Sequence, residues 1–239
     1  MIRVEDDGGV RVVTLDRPGR RNALTPDGLE ALSEAVTGAD APVVYLHGAG
    51  EAFCAGADRS VVADVAADVA DGDEGAVEPF VRLGQATADA IESAQAVVVA
   101  GIDGPARGGG VELALACDLR VATPAATFAE PGATFGLFGA WGGTVRLPEV
   151  VGLGDALDLS LSGRVVDAKA ALRMGLVSRV VEDPRAVAEE LADNDALAMT
   201  HLKRRLRDRG SKAAREDAEV AAFQELVSAH AAELREFDG

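Results

Sequence analysis

Two runs in which apolar and polar residues alternate open the chain, in IRVEDDGGVRVVTLD, and the turn signal DDGG lies between them. Period-two alternation on either side of a glycine turn predicts a β-hairpin ending at Asp16. The segment RPGRRNAL breaks the pattern and reads as a loop. Thr25 is then placed to cap a helix with Pro26 in its first position, and Leu29, Leu32 and Val36 recur at helical spacing until Gly38 stops it. PVVYLHG, residues 42–48, is a continuous apolar run of strand length and predicts a buried strand. It delivers the chain to AFCAGADRS, where small residues stand in place of packing side chains.

The Ala/Val/Asp segment over residues 61–78 has low complexity and predicts a loose helix followed by a flexible loop, either a lid over a site or a solvated connection. A helix follows around Phe80 to Glu92, then a second buried strand in AVVVAGIDG. PARGGGVELALACDLRVAT reads as glycine turn, helix and third strand. From Gly152 onward helices dominate, with DAKAALRMG closed by Gly175, a short strand-like LVSRVV, and charged helical stretches to the end. Strands alternating with helices, then helices alone, predict an α/β core over residues 1–190 and an α-helical region over 191–239.

Composition narrows the function. A chain of 239 residues that is 48% hydrophobic can bury one large core. AVVVAGI, the longest apolar run near the middle, is far too short to span a bilayer, and the first residues are acidic where a signal peptide is basic and then apolar. A cytoplasmic location is expected. The net charge of −17, with three lysines against twenty arginines, sets a field that repels nucleic acid and anionic membranes, so neither is expected as a partner. The two cysteines, Cys54 and Cys117, make no disulfide framework, and no Cys/His spacing suits zinc. No metal is expected.

AFCAGAD and GPARGGGVE each follow a strand, and the second opens a helix near Gly109 or Gly110. The first N–H groups of a helix lack an intrahelical partner and carry the positive end of its dipole. Glycine and alanine let a ligand oxygen approach such groups, and two N–H groups aimed at one oxygen make an oxyanion hole. Close helix-to-strand packing is the alternative use of the same glycines.

Taken in order, LDRPGRRNAL, FCAGAD, IDGPARGGGVELALACDLRVA, FAEPGATFGLFGAWGGTVRLP and DAKAALRMGLVSRVV resemble the enoyl-CoA hydratase/isomerase family, also called the crotonase family, from about Asp16 to Val181. The resemblance implies a core of repeated ββα units, a superhelix carrying a C-terminal α-helical region that takes part in assembly and in the acyl-CoA site. It implies a homotrimer or hexamer, and an acyl-CoA thioester as substrate, with coenzyme A entering as part of that substrate and no separate cofactor. The thioester enolate would sit between the N–H groups of Ala57 and Gly109, with Ala55, Gly56, Asp58 and Gly108 along the wall.

The family's hydratases use two glutamates. The resemblance places the first at Glu112, in the opening turn of the helix that begins at Gly109, where a carboxylate serves as acid or base. It places Gly132, not a glutamate, at the second position; Glu130, two residues earlier, would compensate only if the loop re-registers and is otherwise expected to point elsewhere, and Trp141 is expected to fill core or else to narrow the acyl pocket. One glutamate suits isomerisation, racemisation or decarboxylation better than hydration, and a non-catalytic acyl-CoA binder is the alternative from another class. Arg20 and Arg21, with Ala23 in the same loop, and Lys203 in the helical region are the candidates for the coenzyme A phosphates, or else ion-pair partners in an acidic protein. His47, His201 and His230 belong to no Ser/His/Asp motif.

Overall fold

The computed structural model describes residues 1–236. In chain order it contains β1 (Ile2–Asp7), β2 (Val10–Leu15), α1 (Pro26–Thr37), β3 (Val43–Gly48), α2 (Arg59–Ala70), α3 (Val77–Ser93), β4 (Val97–Ile102), β5 (Pro105–Arg107) and α4 (Gly109–Ala116). Then follow β6 (Leu119–Ala122), β7 (Thr127–Ala129), α5 (Gly143–Ser162), β8 (Val166–Asp167), α6 (Ala168–Arg173), β9 (Arg179–Val180), α7 (Pro184–Ala192), α8 (Ala196–Arg207), α9 (Lys212–Ala229) and α10 (Ala231–Leu234).

The opening hairpin forms as its alternation predicts: β1 and β2 are antiparallel, with Asp7 opposite Val10 and Gly8 turning at φ +61°. From β2 the six-stranded sheet runs β1-β2-β3-β4-β6-β9, every remaining pair parallel. Helices cover both faces, so the strands read as continuous apolar runs rather than alternations. Val13, Leu15, Val44, Leu46, Val98 and Ala100 face the main core with Leu29 and Leu32 of α1 and Ile91 of α3. Val12, Val43, Tyr45, Val97 and Val99 face a second cluster closed by Val187 and Ala188 of α7 and Met199 of α8. Thr25 caps α1 by accepting from the Gly28 N–H at 3.3 Å, as its position before Pro26 predicts.

The helix expected from residue 61 forms as α2, Arg59–Ala70, with no buried residue. Two differences have local causes. α5 begins at Gly143, nine residues before the expected Gly152, which instead sits inside it as a kink at φ +78°. The second sheet, β5-β7-β8, consists of strands of two or three residues, too short to show a period. It matters because it carries the chain from the glycine turn to residue 130.

Lys203 takes the ion-pair role and not the phosphate-binding one. Its ammonium is buried between the Asp118 carboxylate and the Ala96 carbonyl, at 2.8 Å from each, and docks α8 against the sheet. Arg207 adds Asp118 and Glu92, each at 2.9 Å. With both acceptors inside the fold, this lysine is not presented to a ligand phosphate. Among the described residues no helix is long and apolar enough to cross a membrane.

Candidate active site

The loop after β2 and the turn after β3 are stitched together by Asn22, which is fully buried at φ +57°. Its amide N–H groups donate to the carbonyls of Ala49, Ala52 and Phe53 at 3.0, 2.7 and 3.2 Å, and its Oδ1 accepts from the Arg17 N–H at 2.9 Å. Nothing in RPGRRNAL singled this residue out except that asparagine tolerates the left-handed conformation better than most. Leu24 extends the seam, donating to Gly56 O and accepting from the Asp58 N–H, both at 2.8 Å. Asp58 is not part of a ligand-facing wall. It is buried, pairs with Arg17, and caps α2 by accepting from the Ser60 N–H at 2.9 Å. The Ser60 N–H, and then Arg17, hold its carboxyl down at about 2.

The two glycine turns meet. Cys54 donates to Pro105 O at 3.3 Å and accepts from the Arg107 N–H at 2.9 Å, a parallel bridge between the turn and β5. Gly56, at φ +83°, approaches so closely that a Cβ there would lie 2.9 Å from the Gly109 nitrogen and 2.7 Å from Arg107 O. A Cβ on Gly110 would lie 2.8 Å from that of Cys54. These glycines are therefore required by backbone contact, which brings Ala55–Ala57 beside Gly108–Gly109. Among the described residues the N–H groups of Ala57 and Gly109 have no hydrogen-bond partner. The Gly108 N–H, by contrast, donates to Ala129 O at 3.0 Å, which ties the end of β7 to the glycine turn.

Glu112 projects from the first turn of α4 and is only 2% exposed. Its Oε1 accepts from the N–H groups of Trp141 at 2.8 Å and Gly143 at 2.7 Å. A Cβ on Gly139 would come within 2.8 Å of Oε2. GAWGG is thus a cradle for a carboxylate. Burial pushes the Glu112 carboxyl up from its ordinary value, and the two peptide donors pull the other way.

Trp141 is 3% exposed and packs edge-on against Phe80, ring centres 5.8 Å apart. The indole also lies on the α carbons of Gly84 and Gly109, where a side chain would overlap it. Core packing was the expected role, and Trp141 does pack. It does so beside the glycine turn while its own N–H holds Glu112.

Glu130 is drawn into the fold. The chain leaves β7 and enters a tight turn over Pro131–Phe135 in which a Cβ on Gly132 would meet Phe138 Cα at 2.7 Å and Leu137 O at 2.9 Å. Gly132 is backbone-packed, with no room for a side chain. Glu130 is the residue whose carboxyl turns inward: it is 8% exposed, its Oε1 has no hydrogen-bond partner, and it lines a cavity of about 30 Å³ with Gly132, Gly139, Gly143, Thr144 and Ser160. Burial first, and then the negative charge of Glu112, push it up to about 8.

Arg20 and Arg21 are exposed and form no ion pair among the described residues, although acids outnumber bases 40 to 23 in the chain. The Arg21 carbonyl accepts from the Ala55 N–H at 2.9 Å, so these cations border the turn, whereas Ala23 is buried. His47 bonds Thr14 Oγ1 at 3.0 Å and stacks on Tyr45, away from Glu112. No cluster of three or more metal-ligating side chains occurs among the described residues.

Residues 5–236 match the family model described as Enoyl-CoA hydratase/isomerase. Similar proteins include the short-chain-enoyl-CoA hydratase of Clostridium acetobutylicum, 36% identical over 197 residues that cover 80% of this chain and 73% of that protein. The crotonyl-CoA hydratase of Syntrophomonas wolfei is 37% identical over 193 residues, 79% of this chain and 72% of that protein. Among solved structures, the enoyl-CoA hydratase from Bacillus anthracis superposes with a TM-score of 0.85 at 31% identity, covering 95% of this chain and 91% of that one.

Proposed function

Because the chain belongs to the enoyl-CoA hydratase/isomerase family, we propose that it binds an acyl-CoA thioester with the carbonyl oxygen between the N–H groups of Ala57 and Gly109 and uses Glu112 as a proton carrier. The observation that supports this reading is the contact of Gly56 with Gly109, which brings the Ala57 turn against the start of α4, where these N–H groups lack a partner and a buried carboxylate lies one helical turn on. Charge that develops on the thioester oxygen as an enolate forms is stabilised there without any side chain. One such donor is worth roughly 10²–10³ in rate. Glu112 is suited to the proton transfer because its two peptide donors fix one carboxylate oxygen and leave Oε2 without a hydrogen-bond partner among the described residues. The unpaired guanidinium groups of Arg20 and Arg21 suit the phosphates of coenzyme A.

Purified protein is incubated with crotonyl-CoA and with a 3-enoyl-CoA while the conjugated enoyl absorbance is followed. Loss of absorbance from the first, or gain from the second, is expected. The packed glycine at 132 favours a second reading, a binder of acyl-CoA without turnover, and binding of both thioesters with neither reaction would establish it in place of the first.

We infer also that the chain assembles as a homotrimer or a pair of trimers. Leu153, Leu161, Leu202, Leu206 and Phe223 of α5, α8 and α9 are 59–78% exposed, large apolar side chains that a partner copy would cover. Light scattering at two ionic strengths tests it, since the net charge of −17 opposes assembly in low salt; a monomer under both conditions would refute it.

A further inference from the structure

Resting on the acyl-CoA reading, we propose that Glu130 is a second catalytic carboxyl of this site, taking over the proton transfer for which position 132 has no side chain. Four observations converge on it. The bond from the Gly108 N–H to Ala129 O, 3.0 Å, fixes the backbone immediately before Glu130 against the turn that presents Gly109. The carboxyl is more than nine-tenths buried, with an oxygen that no protein group satisfies. A buried polar atom without a partner costs stability and calls for a function or a ligand. The cavity it lines is also lined by Gly139 and Gly143, whose α carbons rest on the Glu112 carboxylate. Its volume of about 30 Å³ accommodates a water molecule.

Two buried carboxyl groups that feel each other's charge do not both ionise at neutral pH. Glu112 has peptide N–H donors that favour its charged form, whereas Glu130 has none. The shared proton therefore resides on Glu130, and the pair consists of a base and an acid. In hydration, the water oxygen bonds to C3 of the enoyl group while Glu112 takes one water proton. The C2–C3 π pair moves towards the thioester oxygen as the enolate forms. That pair then returns to form the C2–H bond with the proton of Glu130. The product has gained H and OH, Glu112 is protonated and Glu130 ionised, and transfer of one proton from Glu112 to Glu130 restores the site.

The test is the pH dependence of kcat for crotonyl-CoA hydration by the full chain and by Glu130→Gln and Glu130→Asp. The parent should lose kcat as pH rises through about 8, where Glu130 gives up its proton. Glu130→Gln should lower kcat by roughly 10²–10⁴ with little change in KM and should abolish the alkaline limb, while Glu130→Asp should recover part of the rate and keep a limb. Parent-like kcat and an unaltered alkaline limb in Glu130→Gln would overturn the proposal and leave the enolate reading standing. A parent that binds both thioesters and turns over neither would overturn both.

Discussion

Replacing Glu130 by glutamine should change how stability depends on pH, by an amount the site itself sets. The carboxyl is raised from an ordinary 4.5 to about 8, chiefly by burial and then by the charge of Glu112. A group whose folded value is raised contributes stability that is fully present below its unfolded value and lost as pH climbs through its folded value. Between pH 4.5 and about 8 the unfolded chain has released this proton and the native chain has not. Unfolding is then favoured by about 1.4 kcal/mol for each pH unit, or about 5 kcal/mol over the whole interval. Glutamine is neutral throughout and has nearly the same shape, so the parent and Glu130→Gln should be similarly stable in acid and should diverge steadily as pH rises. Carboxylates that do not interact with Glu130 cancel in the difference, which leaves Glu130 and its coupling to Glu112. Urea midpoints across this range, at fixed protomer concentration and salt, measure it. A stability difference independent of pH would show that Glu130 is not held protonated, and the reasoning from its unpaired buried oxygen would fail.

Three further substitutions probe the scaffold. Asn22→Ala strips the carbonyls of Ala49, Ala52 and Phe53 of a shared donor and should cost roughly 1–3 kcal/mol, read from thermal unfolding, with turnover falling as the Ala57 turn loosens. Trp141→Ala keeps the peptide N–H on Glu112 and removes the indole from Gly109; it should cost about 3–5 kcal/mol and shift preference towards longer acyl chains in a thioester panel. Gly132→Glu should lower the melting temperature and fail to raise hydration, because its Cβ meets the backbone of Leu137 and Phe138 before the carboxylate can reach any substrate; a stable variant with faster hydration would refute that account.

The contrast between positions 130 and 132 shows what a sequence can reveal of such a site. Strands β3 and β4 were legible as continuous apolar runs buried on both faces, and β2 and helix α1 by the spacing of Val13, Leu15, Leu29 and Leu32. The glycines of the two turns were legible for a related reason, since Gly56 and Gly110 stand where any side chain would strike a backbone or Cys54. Direction was not legible at Glu130, because β7 has three residues and the turn after it decides which way a side chain leaves the chain. Long-range partners were equally hidden. Lys203 lies 85 residues beyond Asp118, and a basic helix face reads the same whether its lysine meets a ligand or a buried carboxylate. Asp58 was misplaced because a helix-capping aspartate and a wall aspartate occupy the same position in AGADRS until Arg17 is seen beside it.

The central claim is that the N–H groups of Ala57 and Gly109 polarise a thioester carbonyl, and the vibration of that carbonyl reports it most directly. Infrared difference spectra of butyryl-CoA carrying a ¹³C label at the thioester carbon, bound to the protein in excess, isolate the C=O stretch of the bound thioester. Butyryl-CoA has no double bond to hydrate, so the spectrum reports the ground state alone. The account predicts a stretch displaced to lower frequency than in free butyryl-CoA, as two short hydrogen bonds draw electron density onto the oxygen. A bound carbonyl vibrating at its solution frequency would contradict it.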